Sequence, residues 1–115
     1  MSEHNLVVLR GTLAGEPRLR ELSSGSLLSQ FDITTRDGTG TASVPVAWVD
    51  PPPAGLPVEP GGEVVVVGRV NRRFFRAGGA TQSRTEVVAD HVVPATERRQ
   101  ARRALAAART VLDPP

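Results

Sequence analysis

The sequence predicts an all-β domain: a five-stranded Greek-key barrel with a helical extension at its C-terminal end. Three observations carry that prediction. Short Val- and Thr-containing runs, punctuated by Gly and Pro clusters, fill residues 4–93. Asp37-Gly38-Thr39-Gly40 is a hairpin turn signal between two of those runs. Beyond Pro94 the composition changes to Ala, Leu and Arg at helical spacing. The expected division is therefore a barrel over residues 1–94 and a helical segment over residues 95–115.

The elements follow in order. His4 to Leu13 is a first strand, apolar at Leu6 to Leu9, with Gly11 as a bulge position. Pro17 opens a short segment, Arg18 to Leu22, and Ser23-Ser24-Gly25-Ser26 turns the chain. Leu27 to Arg36 alternates, with Leu27, Phe31 and Ile33 on one face and Gln30, Asp32 and Thr34 on the other. That pattern makes Phe31 a core residue. Ala42 to Val49 is the third long strand. Five prolines and three glycines between Asp50 and Gly62 forbid a helix or a ladder there. Glu63 to Arg76 is a long strand whose first half is continuous valine, and Arg84 to Val93 returns from a flexible tip centred on Gly78-Gly79. In the extension, Thr96 is an N-cap residue and Ala101, Ala104, Leu105, Ala108 and Leu112 form an apolar stripe. Asp113-Pro114-Pro115 ends it.

Composition limits the chemistry. The chain of 115 residues has thirty Leu, Ile, Val and Phe, enough for one modest core. It has no Cys, which excludes disulfides, zinc–thiolate sites and a thiol nucleophile. All fourteen basic residues are Arg, so there is no Schiff-base or P-loop lysine. Against twelve acids the net charge is +2, yet residues 51–115 hold ten of the arginines, which points to a local basic patch. The longest apolar run in the barrel, Val64 to Val67, cannot span a membrane, and Leu6 to Leu9 is too short for a signal peptide. A cytoplasmic protein without membrane contact is expected. His4 and His91 are far apart in sequence, no nucleophile elbow is present, the acids lack metal-ligand spacing, and Gly38-x-Gly40 is only part of a dinucleotide loop. The sequence thus predicts a non-enzyme with no cofactor and no metal.

Five strands with a long loop between the third and fourth suit an oligonucleotide/oligosaccharide-binding (OB-fold) barrel. Three blocks then resemble one family. Asn5-x-Val7-x-Leu9-x-Gly11-x-Leu13, Pro17-x-Leu19-Arg20 and Gly25 resemble the opening of bacterial single-stranded DNA-binding proteins. Gly61-Gly62-x-Val64-x-Val66-x-Gly68-Arg69-Val70-x-x-Arg73-x-Phe75 is similar to that family's fourth strand, and Thr85 to Ala89 to its fifth. The resemblance covers about residues 4–93 and implies a barrel, usually tetrameric, that coats exposed single strands in replication, recombination and repair. The chain departs from the family in three ways. Prolines replace the helix between the third and fourth strands, the acidic C-terminal tip is missing, and the aromatics are only Phe31, Trp48, Phe74 and Phe75. These departures suit a specialised or accessory member.

Binding single strands without sequence preference needs cations for phosphates and flat rings for bases. Arg69, Arg72, Arg73, Phe74, Phe75 and Arg76 supply both within eight residues and no acid. Strand alternation puts Arg69, Asn71, Arg73 and Phe75 on one face and Val70, Arg72, Phe74 and Arg76 on the other. Phe75 matches the family's stacking aromatic, which makes the first set the expected DNA face. The resemblance also implies ring or cationic residues on the face of Val44, Val46 and Trp48, leaving Ala47 and Val49 for the core; a core or interface role for Trp48 fits its position equally well. Arg20 matches a family position near the DNA path. Arg84 lies by the last hairpin, and Arg10 and Arg36 rank behind these.

The expected function is therefore single-stranded DNA binding. The alternative is a protein-interaction module or accessory subunit that binds replication or repair proteins through its surface or its Arg/Ala helix. RNA as ligand also fits the same contacts. A first strand apolar on both sides suggests a homo-oligomer, with dimer and tetramer both open.

Overall fold

The computed structural model describes residues 3–113. It contains β1 (Val7–Leu13), β2 (Arg18–Glu21), β3 (Leu27–Asp37), β4 (Gly40–Val49), β5 (Glu63–Ala77), β6 (Ala80–Pro94) and α1 (Arg98–Leu112). Pro114 and Pro115, expected to stop the helix, lie outside the described residues.

Alternation in the long runs makes strands, and their pairing closes a barrel. β1 pairs antiparallel with β5, β5 with β6, and β3 with β4, while β4 and β6 run parallel. Thr12 and Leu13 then meet Thr34 and Ile33, so β1 also reaches β3 and the ring of five strands closes. This is an OB-fold-like Greek-key barrel. The short segment after Pro17 is a sixth strand, β2, added to the outer edge of β3. Gly11 stands where β1 leaves β5 for β3; a Cβ there would lie 2.4 Å from the Thr34 carbonyl oxygen.

The inner face of each strand fills the barrel. Leu13, Phe31, Ile33, Val46, Val64, Val66, Val87, Ala89 and Val92 form the main core. Phe31 is a core residue as its alternation predicts, at 3% exposed. Leu56 and Val58 of the proline-rich loop pack against this core, so that loop covers part of the barrel without forming a helix or strand. The opposite face of the valine run makes a second core: Val65 and Val67 bury Ala104 and Ala108 of α1.

Three expectations about ends and faces are corrected. The tip of the last hairpin is a continued ladder. Ala77 pairs with Ala80 across a two-residue turn, in which Gly78 and Gly79 both take positive φ, 59° and 78°. Thr96 does not cap α1: Glu97 holds the cap position with no side-chain cap bond, its carbonyl accepting the Ala101 N–H. Only part of the predicted helix stripe docks. Ala104 and Ala108 are buried, whereas Leu105 and Leu112 are exposed, because the close helix–sheet approach accommodates Ala and leaves the larger residues on the flank.

β5 and β6 are 15 residues each and outrun the barrel. Val64 to Gly68 are buried, but every residue from Arg69 to Ala77 is exposed or partly exposed. The base of this arm is fixed twice. Between Val67 and Gly68 the register shifts: Val67 pairs with His91 and Gly68 with Ala89, leaving Asp90 as the extra residue of a bulge. A Cβ on Gly68 would lie 2.1 Å from the Val88 carbonyl oxygen, so only glycine fits there. On the other strand side, the Asn5 amide donates to the Val70 carbonyl at 2.8 Å and accepts the Val70 N–H at 2.9 Å. This side chain continues the β1 ladder beyond the end of its backbone pairing.

Candidate nucleic-acid interface

The register sorts the sequence-predicted residues onto faces. Directly paired residues share a face, and one row reads Arg18, Gln30, Ala47, Val88, Arg69 across β2, β3, β4, β6 and β5. A second row reads Arg20, Leu28, Val49. Along the arm the same outer face continues with Asn71, Arg73 and Phe75, opposite Glu86, Arg84 and Gln82. Between the two ends this face is uncharged: Leu28, Gln30 and Ala47 are buried there by their neighbours, while Val49 and Val88 are more open. Arginines stand at both ends, Arg18 and Arg20 on β2 and Arg69, Arg73 and Arg84 on the arm.

Trp48 is not part of that surface. It packs with Val44 against the main core, on the inner face that also carries Val46. Of the two places the sequence allows it, Trp48 takes the core side, beside Val46 at 2% exposed, because the inner side of β4 takes the larger apolar residues. Ala47 lies on the outer side, where its neighbours bury it, and Val49 is exposed at 45% and is not core. Arg10 and Arg36 sit elsewhere, around the seam where β1 meets β3, with Arg10 bonded to Glu63 at 2.8 Å.

On the arm each ring carries an arginine. The Arg73 guanidinium lies 5.5 Å from the Phe75 ring centroid on the outer face, and Arg72 lies 5.4 Å from Phe74 on the other. Phe74 is 67% exposed and Phe75 38%. The rings thus sit back to back across one hairpin. Arg72 also donates to the Ser83 hydroxyl at 3.0 Å, and Arg76 to the Gly79 carbonyl at 3.0 Å.

Two of the arginines are engaged by acids. Arg69 pairs with Asp90 at 3.0 Å, both about half exposed, a contact that water and salt weaken. Arg73 gives its Nε–H to Glu86 at 2.7 Å. The Glu86 side chain is only 6% exposed, so Arg73 neutralises an almost buried carboxylate and keeps its terminal N–H groups for other acceptors. Arg18, Arg20, Arg72, Arg76 and Arg84 form no ion pair among the described residues. Arg73 and Arg84 stand directly opposite each other, and like charges in that position repel unless an anion lies between or beside them.

Arg18 is not among the contacts the sequence predicts, and Asn5 enters only through the resemblance of the first block. The signal for Arg18 is its two-residue spacing from Arg20 in a segment whose four residues are all exposed. For Asn5, whose partner is 65 residues away, no local pattern announces the contact. Among the described residues no His, Cys, Asp or Glu group gathers as a metal site, and no helix is long and apolar enough to cross a membrane.

No protein-family model matches this sequence, and no curated protein matches it.

Proposed function

We propose that this chain binds single-stranded DNA along the β5–β6 arm and the outer face of β2, β3 and β4, coating or protecting exposed strands in replication, recombination and repair. The observation that carries the reading is the pair of solvent-exposed Phe rings under guanidinium groups, on a hairpin with five Arg between positions 69 and 84, of which Arg72, Arg76 and Arg84 form no ion pair among the described residues. An exposed ring presents a π-face on which any base stacks, and the arginines hold the neighbouring phosphates. Arg84, directly opposite Arg73 and in no ion pair among the described residues, adds to the affinity of that face for anions. Stacking needs unpaired bases, so the preferred ligand is a single strand.

The test is a titration of the full chain with fluorescein-labelled oligo-dT and with a duplex of equal length. Tighter binding of the single strand supports the proposal. Equal affinity for both leaves a basic patch with no stacking and removes it. The same titration with oligo-U ranks RNA against DNA.

A further inference from the structure

We infer that a second surface of this molecule docks an acidic peptide segment of another protein. The surface is a groove of about 580 Å³ between the outer side of β1 and the flank of α1. Leu6, Val8, Leu105 and Leu112 line it, and its charged lining residues are Arg102 and Arg109. Val8, Leu105 and Leu112 form a contiguous aliphatic patch in solvent, the kind of surface that marks an interaction site.

Charge and lining chemistry select the occupant. From Arg98 to Leu112 the helix carries five arginines and no acid, so its field favours an anionic partner. The groove contains no ring on which a base stacks, and its aliphatic floor suits apolar side chains, which favours a peptide over a nucleic acid. A second copy of this chain is disfavoured, because a two-fold contact sets each surface against itself and brings the arginine-rich helices together. Leu105 and Leu112 are seven residues apart, as are Arg102 and Arg109, a separation of about 10.5 Å along a helix. The matching segment therefore presents two apolar side chains at that spacing with carboxylates beside them. None of these residues belongs to the hairpin arm, so this inference stands apart from the DNA-binding reading.

The experiment is fluorescence anisotropy of the full chain with a labelled helix-forming peptide of about fifteen residues, carrying Leu at two positions seven apart, about 10.5 Å along the helix, with Glu three or four residues from each. The variants are Leu105→Ser and the double change Arg102→Glu with Arg109→Glu. All these side chains are exposed, and circular dichroism checks the fold. Binding that weakens by about tenfold or more in each variant supports the groove. Capture of a Lys/Leu peptide by the charge-reversed protein supports it further. Any of these results overturns it: no binding at about 1 mM peptide, equal binding of an all-acidic peptide without apolar residues, or unchanged affinity in either variant. Displacement of the peptide by oligo-dT, with oligo-dT binding equally lost in Leu105→Ser, assigns the groove to nucleic acid and also overturns it.

Discussion

Phe75 and Phe74 separate the two sides of the hairpin arm. Phe75→Ala removes one base platform and is expected to cost about 1–3 kcal/mol of single-strand affinity. Its effect should exceed that of Phe74→Ala, because the Phe75 face continues into the surface that carries Arg18 and Arg20. The reverse order, measured by titration, would move the path to the face of Arg72 and Arg76. Arg73 behaves differently from its neighbours. Arg73→Ala leaves the nearly buried Glu86 carboxylate without its partner, which should cost about 1–3 kcal/mol of stability, because the Arg73 side of the pair is open to water. Arg84→Ala, which leaves no buried acid behind, should lower affinity with little change in the urea midpoint. Asp37 supplies a pH handle. Its carboxylate accepts the Thr39 side-chain and backbone hydrogen bonds, which hold its pKa below the ordinary 3.8. The stability this gives the β3–β4 turn is present above the ordinary value and is lost as pH falls through the lower folded value. An NMR titration of the Thr39 amide should report that loss, whereas Asp37→Asn should flatten it.

α1 is a structural part of the domain. Cutting the chain after Pro94 uncovers Val65 and Val67, and the expected loss is about 3 kcal/mol, the scale of exposing one or two valines. A truncated protein with an unchanged melting temperature would contradict this packing. The docking of α1 shows where sequence reading reached its limit. Period and composition announce a helix with an apolar stripe, but Ala104 and Leu105 are adjacent in that stripe, and only the approach distance to the sheet decides which is buried. The strands were more legible, since alternation alone places Phe31 and Ile33 inside and puts Arg69, Arg73 and Phe75 on one face. β4 was ambiguous because both its faces are largely uncharged, so the pattern did not tell Trp48 from Ala47. In β6 a single extra residue, Asp90, reverses the alternation, and the partner strand is needed to see it.

For the whole molecule, the arrangement of arginines sets the salt response. If about four of Arg18, Arg20, Arg69, Arg73 and Arg84 each neutralise a phosphate, log affinity should fall against log salt with a slope of about −3. Phe75→Ala should leave that slope unchanged, since a ring releases no counterion. A wild-type slope near zero would take these arginines off the path. Trp48, held against the core, should report unfolding by its emission and change little on adding oligo-dT. The barrel order was legible from three spaced blocks and a loop too rich in proline to fold regularly. The proposed interface was legible only in part, because its two ends, β2 and the arm, lie about 50 residues apart in sequence and meet on one face only through the register of three intervening strands.

The bulge at Gly68 has a mechanical consequence. Beyond it the arm runs from Arg69 to the turn at Gly78, about 30 Å at strand rise. Val88 and Val87, opposite Arg69 and Val70, still pair with β4, so the free lever starts at Asn71 and Glu86, and a tilt of about 5° there carries the turn through about 2 Å over about 23 Å. The gap between the rings and the arginines of β2 therefore depends on how the arm's base is held, by the bulge at Gly68, the pairing of β6 with β4 and the Asn5–Val70 hydrogen bonds. A change at Asn5 removes one of these holds while leaving every arginine and ring of the arm in place.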